Sequence, residues 1–508
     1  MKKSISIIIS IIIIVGCSED FLVQPPLNTT TTGNYWNSQE EAVLAVNSLY
    51  QTFRMSEAFN TGFIEFGDMM ADDMTAGTYG GFIVPLDELN IDPSMVRLTG
   101  GRDKFGFWGV WYNTIYRANW ILANVGNTKN ISAEILQRSI NEAHFFRGVA
   151  YFMLVNYFGG VPLFTHIISP EEAKKIPRAK AEEVWQQVES DLLKAAGLDE
   201  DLNQSGTPLP SKGTHEMGRI TKGAALGFLA RVYLYQEEYE KTERIVDMII
   251  DLDRYDLNPD FGANWDNMQE NGIESIFEIQ YKAGETGYGY GMWPGNQING
   301  NTANAAFAPG GRGWNNYVAS PHVDTLFEKN SEGEEDKRRV MTIFRVGDTY
   351  PFNPDHEYYL TNDKDPNGYT ISKYVLRNDI ISVQQDINDL LDADNNLPII
   401  RYAEILLIHA EALYHNGKTA VAYEQLNKIR ERAGLDPLDG TEDFMERLIH
   451  ERRIELAFEG HRYLDLKRWG LLEEVLGPYG YRKETNGLLP IPLTEMDLNQ
   501  SLNQNKGY

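Results

Sequence analysis

From Ser38 onward, apolar residues recur at helical spacing in separate blocks. Ala42, Val43, Val46 and Leu49 follow Ser38 at intervals of three and four, and Glu41 completes a capping box, so a helix begins here. Similar periodicity predicts helices over 107–124, 132–157, 181–196, 220–236, 239–251, 401–416, 419–433 and 441–459. Two pairs of these read as helical hairpins of one design. Ala230 and Thr242 lie twelve residues apart around the turn Gln236–Glu238, and Ala410 and Ala422 lie twelve apart around Asn416-Gly417. Small residues at that spacing let two helices cross closely, as in a tetratricopeptide-like unit; plain helical hairpins remain the alternative. The periodicity fails between 255 and 400, where Ile276-Phe277-Glu278-Ile279-Gln280-Tyr281 alternates as a short strand. A shorter break at 68–106 carries Asp72-Asp73 and Tyr79-Gly80-Gly81. The fold class is therefore mainly α: a tetratricopeptide-like α-solenoid framework with long irregular loop insertions and a few short strands.

The beginning of the chain follows another pattern. Lys2 and Lys3 precede an apolar run from Ile5 to Val15. Eleven residues cover only about half of a bilayer's hydrocarbon core, which takes ~20 helical residues. A charged start and a short apolar stretch describe an export signal rather than a span. It ends in Ile14-Val15-Gly16-Cys17, which resembles a lipobox, so residues 1–16 are expected to be a lipoprotein signal peptide and Cys17 the lipidated residue. An ordinary secretory signal with a chance cysteine is the alternative. Residues 17–34, with Pro25-Pro26 and Thr29–Thr32, read as an extended tether, and 35–508 as a single domain whose ligand-binding insertion occupies about 255–400.

Composition narrows the classes. With 508 residues, 42% hydrophobic and 23% charged, the chain has ample material for a large core. One cysteine excludes internal disulfides and Cys-based zinc sites. A net charge of −27 argues against nucleic acid and anionic surfaces, and only weakly against an anionic ligand, because a site can hold a local basic patch.

Aromatic residues make up 11% of the chain, and several fall in Gly- and Asn-rich stretches that cannot be core helices. Residues 287–296 read Gly-Tyr-Gly-Tyr-Gly-Met-Trp-Pro-Gly-Asn and 310–317 read Gly-Gly-Arg-Gly-Trp-Asn-Asn-Tyr. Sugars present apolar C–H faces ringed by hydroxyls. A protein binds them by stacking aromatic rings on the faces and aiming amides, carboxylates or guanidiniums at the hydroxyls. Trp293, Trp314, Tyr290 and Asn296 fit this chemistry; the alternative is that each Trp plugs its own loop. A glycosidase would need two carboxyls flanking one bond, but 73 acids make such pairs uninformative. No G-x-S-x-G, H-E-x-x-H or P-loop pattern occurs. His461 lies in a run of alternating charge and reads as part of an ion-pair network rather than a general base. Asp363-x-Asp365-x-Asn367-Gly368 and Asp392-x-Asp394-x-Asn396 copy the start of a calcium loop without its closing Glu, so no cofactor is expected beyond, at most, a structural calcium.

Longer motifs extend along the chain. Arg401-Tyr402-Ala403-Glu404-Ile405-Leu406-Leu407-Ile408-His409-Ala410-Glu411-Ala412 and the block from Glu451 through Tyr463 to Gly470 resemble the SusD/RagB family. So do Trp108-x3-Tyr112-x2-Ile115-x2-Ala118-Asn119, Phe145-x-Arg147-Gly148-x2-Tyr151-Phe152, Tyr157–Pro162 and the closing Leu489-Pro490-Ile491-Pro492. Glu19 and Asp20 resemble the surface-export signal of Bacteroidetes lipoproteins. The resemblance implies a lipid-anchored, surface-exposed outer-membrane protein that binds oligosaccharide or polysaccharide without cleaving it. It would deliver that ligand to a SusC-like TonB-dependent transporter. It also implies an aromatic platform built by a loop after the first helix and by the central insertion, which points to Asp73 and Tyr79 on one side and Trp293 and Trp314 on the other. A lipid-anchored glycoside hydrolase and a scaffold gripping a peptide or protein partner are the other readings. The charged block has its own physical reading: Glu451, Arg452, Glu455 and Arg462 recur among Ile454, Leu456 and Phe458 as a buried or half-buried network that fixes how the last helices dock.

Overall fold

The computed structural model describes residues 35–77, 80–96, 106–282, 301, 303–307, 313–345, 348, 368–374 and 393–508. Helix α1 (Gln39–Arg54) starts as its sequence requires: the Ser38 hydroxyl accepts from the Glu41 N–H, and the Glu41 carboxylate accepts from the Ser38 N–H. The framework continues through α2 (Phe107–Asn124), α3 (Ala133–Phe158), α4 (Ala181–Ala196), α5 (Lys222–Tyr235) and α6 (Tyr239–Ile250). After the insertion come α7 (Tyr402–His415), α8 (Thr419–Ala433), α9 (Phe444–Glu455) and α10 (Arg462–Arg468). From α1 to α9 each helix packs on the next or next-but-one in sequence, the nearest-neighbour stacking of a solenoid.

The small residues expected at the hairpin crossings are all fully buried: Ala230 against Thr242 in α5–α6, Ala410 and Ala422 in α7–α8. The α3–α4 crossing depends on Gly148, where a Cβ would come within 3.1–3.3 Å of Leu192 and Asp191. Beside it, Arg147 donates to both carboxylate oxygens of Asp191 at 2.8 and 2.7 Å and to Asn119 at 2.6 Å, tying α2, α3 and α4 together. That gives the Asn119 and Arg147-Gly148 motifs a structural purpose. Helix α9 is shorter than its 441–459 pattern. Asp443 caps it by accepting from the Glu446 N–H, and past Glu455 the backbone turns through positive φ at Phe458 and Gly460.

The described strands form three two-stranded antiparallel ladders: β1 (Met74–Ala76) with β3 (Tyr317–Ala319), β2 (Ser275–Ile279) with β6 (Leu397–Arg401), and β4 (Ile343–Arg345) with β5 (Tyr369–Ile371). Strand β2 is the alternating segment expected from the sequence, shifted by one or two residues. The insertion thus leaves and re-enters the framework through one ladder, β2 with β6. The main apolar core draws on residues from Trp36 to Leu502, and a smaller one lies among α7, α8 and α9 around Leu406, Leu426 and Leu448.

Candidate functional site

The β1–β3 ladder brings the two irregular regions together. Met74 pairs with Ala319, Thr75 with Val318 and Ala76 with Tyr317. Past the ladder's end, the Gly77 N–H donates to the Asn316 carbonyl at 2.8 Å and the Gly80 N–H closes back on Gly77 at 3.0 Å. A Cβ on Gly77 would run into the Asn315 carbonyl and one on Gly80 into that of Asn316, so both glycines can lie directly on the segment after Trp314. On the other side of that segment, the Trp314 and Asn316 N–H groups donate to Ala305 and Ala306 at 2.7 and 2.8 Å. The short helix Ala303–Phe307 is in turn fixed by Asn301, whose Nδ2 reaches the Asn395 carbonyl at 2.8 Å. Strand β1 would otherwise present an open edge; Asp87 covers it, accepting from the Thr75 hydroxyl at 2.8 Å and the Ala76 N–H at 3.0 Å.

Below the ladder sits a cluster of ions. Asp73 accepts from Arg453 Nε at 3.0 and 3.1 Å and from Arg453 Nη2, while Arg453 Nη2 also reaches Asp72 at 2.6 Å. Arg462 Nε donates to Asp72 at 2.8 Å, and His322 Nε2 lies 3.2 Å from Asp73. The Asp73 carbonyl accepts the Ser320 N–H at 2.9 Å, so the same residue anchors the β3 side. Burial opposes ionisation of Asp73, but Arg453, the contact with His322 and Arg462 hold its carboxyl well below the usual range. Asp72, Asp73 and His322 are spaced closely enough to hold a metal ion. Two guanidiniums already supply the positive charge there.

Of the residues assigned to a glycan platform, Trp314 lies at the end of the ladder, half-buried against the main core. Asp73 does not reach outward: it is 2% exposed and its carboxylate faces Arg453. The pairing of charge with Arg453, 380 positions away, was the signal the local pattern lacked. Tyr79, Tyr290, Trp293 and Asn296 lie outside the described residues. So do Cys17, Asp363, Asp365, Asn367 and Asp392. Asp394 accepts from Asn267 at 3.0 Å, and Asn396 donates to Glu278 and Gln280 at 3.0 and 2.9 Å. After β3 the chain makes a 3-10 turn, Pro321–Leu326.

The charged block is buried, as read from the sequence, and it recruits distant partners. Arg401 forks onto Glu459 at 2.8 Å through Nε and Nη2 and reaches Glu455 at 3.0 Å; Arg432 reaches Glu455 at 2.6 Å and Arg338 reaches it at 3.2 Å. Against the pull of burial, Arg432, Arg401 and Arg338 keep the Glu455 carboxyl far below its ordinary value. Burial drives His461 well below the normal imidazole range, with Arg231 and Arg452 adding to the effect. Asp68 and Glu65 shift the other way. Burial raises Asp68 to about 8, although the Gly460 and Arg462 N–H groups donate to it, and raises Glu65 to about 7 despite a hydrogen bond from Tyr317. All four groups are packed inside the framework.

This helical frame and its ladders match known proteins. A family model described as "SusD family" matches residues 273–508, and one described as "Starch-binding associating with outer membrane" matches residues 101–234. The chain belongs to the SusD/RagB family. It is 29% identical to SusD-like protein P2 of Formosa agariphila over 100% of both chains. Among solved SusD-like structures, a laminarin-binding SusD-like protein is 27% identical and superposes with a TM-score of 0.78 over 93% of this chain and 100% of that one. Surface glycan-binding protein A of Bacteroides thetaiotaomicron, in complex with laminarihexaose, shares the fold at 24% identity and a TM-score of 0.75, covering 92% of this chain and 100% of that one.

Proposed function

We propose that this SusD-like chain is a cell-surface lipoprotein that captures oligosaccharide or polysaccharide and passes it, uncleaved, to a SusC-like transporter in the outer membrane. The observation that supports the reading is the β1–β3 ladder, which brings Gly77 and Gly80 onto the segment that follows half-buried Trp314. Full-length likeness to a laminarin-binding relative supports a glycan as the ligand. Trp314, Tyr79, Trp293 and Tyr290 supply the stacking faces, and Asn296 meets the hydroxyls. Cys17 carries the lipid, and the tether after it reaches at most roughly 60 Å, enough for a lid to swing above a transporter.

Affinity gel electrophoresis against a polysaccharide panel that includes laminarin tests the binding. Wild-type protein should be retarded by at least one glycan. Trp314→Ala should lose ~1–2 kcal/mol, on the order of a tenfold weakening, for the lost stacking and its buried area. Cys17→Ala should release a folded, glycan-competent protein that no longer supports uptake. Absence of retardation on every glycan, or a Trp314→Ala variant that migrates like wild type, would sink the reading.

A further inference from the structure

At the Asp73 end of the ladder, α9 borders a cavity of about 250 Å3 lined by Glu446, Arg447, Ile449, His450, Arg453 and Arg462. Glu446, His450 and Arg453 share one helix face by their spacing. Three guanidiniums therefore meet one carboxylate in the lining. Their inner edges are committed: Arg453 to Asp72 and Asp73, Arg462 to Asp72, Arg447 Nη2 to Glu328. Their remaining edges are not. Nη1 of Arg447, of Arg453 and of Arg462 has no hydrogen-bond acceptor among the described residues, and Arg447 Nε is buried without one. Tyr479, 45% exposed, is close enough to Arg453 for the two to interact electrostatically.

Arg447 Nε, buried without an acceptor, is costly to leave unpaired, and the free guanidinium edges around it match the planar or tetrahedral oxygens of an oxyanion. An exposed phenol ring beside them offers a face for a sugar ring. The volume is just under the ~300–1,000 Å3 of drug-sized ligand sites, so it suits one small charged group. Strand β1 spans ~3.4 Å per residue, which puts the Asp73 end on the order of 14 Å from Gly77 beside the Trp314 segment. One oligosaccharide could touch both.

We propose that this pocket is an oxyanion subsite that takes the carboxylate or sulfate ester of an acidic sugar while Trp314 stacks a ring further along the same ligand. The inference rests on the reading of the chain as a glycan binder. It also resolves how a protein of net charge −27 could accept an acidic glycan: the positive edges are local and its long-range repulsion is screened at physiological salt.

Isothermal titration with glucuronate, glucose 6-sulfate, glucose and inorganic sulfate, at matched ionic strength, tests it on wild type, Arg447→Gln and Tyr479→Ala. Arg447 and Tyr479 are both partly exposed, so these variants keep the buried framework. At least one of the two acidic sugars should bind tenfold or more tighter than glucose. That binding should weaken tenfold or more in Arg447→Gln and weaken measurably in Tyr479→Ala. Response to glucuronate alone assigns a uronic acid, and to glucose 6-sulfate alone a sulfated sugar. The proposal is overturned if neither acidic sugar outbinds glucose, if inorganic sulfate alone binds, or if Arg447→Gln binds as wild type does. Failure of the broader reading looks different: neutral polysaccharides would not retard the protein in gels, whatever the acidic sugars do.

Discussion

Asp73→Asn separates a residue that grips ligand from one that holds the platform in place. The substitution keeps the shape of the side chain and removes its charge. Arg453, whose side chain is only 16% exposed, would keep Asp72 on Nη2 but exchange its charged partner at Nε for a neutral amide with one acceptor oxygen. Removing one member of a buried ion pair costs ~3–5 kcal/mol; with Asp72 still in place, about 2–3 kcal/mol is the reasonable share. Unfolding entropy of ~2.1 cal/mol/K per residue, over roughly 470 residues after the tether, gives about 1 kcal/mol per degree, so the midpoint should fall by about 2–3 °C. The sign with pH follows from the depressed carboxyl. A group whose folded pKa lies below its unfolded value of ~3.9 contributes stability that is full above that value and is lost as pH falls through the folded pKa. The gap between wild type and Asp73→Asn should therefore be complete at pH 7 and shrink below about pH 4.

Urea unfolding of Asp73→Asn, Arg453→Gln and the double variant is the assay. The two positions share one interaction, so the double variant should cost less than the sum of the singles by at least ~1 kcal/mol. Amide exchange at Ser320, whose N–H donates to the Asp73 carbonyl, should quicken in Asp73→Asn as the ladder loosens. Additive costs, or an unchanged midpoint with glycan retention abolished, would refute the positioning role and return Asp73 to the ligand.

Two further outcomes follow from the same frame. Gly460 has φ +79°, and a Cβ there would run into the Phe63 ring; Gly460→Ala should cost more than ~4 kcal/mol, read as a collapsed urea midpoint or insoluble expression. Asp68 and Glu65, raised by burial to about 8 and about 7, hold protons in the folded state that the unfolded chain releases near pH 4. Raised carboxyls make stability greatest on the acid side. It should decline as pH climbs from about 4 to 8, by up to ~1.4 kcal/mol per unit per group, and Asp68→Asn should flatten that slope in urea titrations at pH 5.5, 7 and 8.5; a flat wild-type profile would contradict the assigned burial.

The framework was largely legible because helices bury one face, and burial leaves a 3.6-residue period in the sequence. Helices α2 to α8 begin and end within about two residues of their patterns, and the Ser38–Glu41 box is formed as read. The site was legible only in part. Strand β1 has three residues, too few to leave a period, and its partner lies some 240 positions on. Nothing local to Asp73 distinguishes a carboxylate aimed at a sugar from one aimed at Arg453. The same limit hid Asp191 behind Arg147, and it hid Arg338 and Glu274, which accepts from Arg432 at 3.2 Å, behind the charged block. In each case the missing partner is set by tertiary folding, which a single-sequence period cannot carry.

Those distant partners also explain how a fixed frame can carry irregular loops. Each loop described around Trp314 leaves the framework from a stump pinned by side chains: Asp73 on Arg453, Asn301 on Asn395, and β6 through Arg401 on Glu455 and Glu459. Buried ion pairs add little net stability, because desolvation offsets most of their attraction, but they tolerate few alternative geometries. Planar guanidinium forks are stricter in this respect than ammonium groups, and arginine takes the centre of most of these knots, at 147, 338, 401, 432, 453 and 462. An apolar stump of equal stability could slide; a fork that must meet two carboxylate oxygens cannot. Sequence between the stumps is then free to change with the ligand while Trp314 and Gly77 keep their spacing.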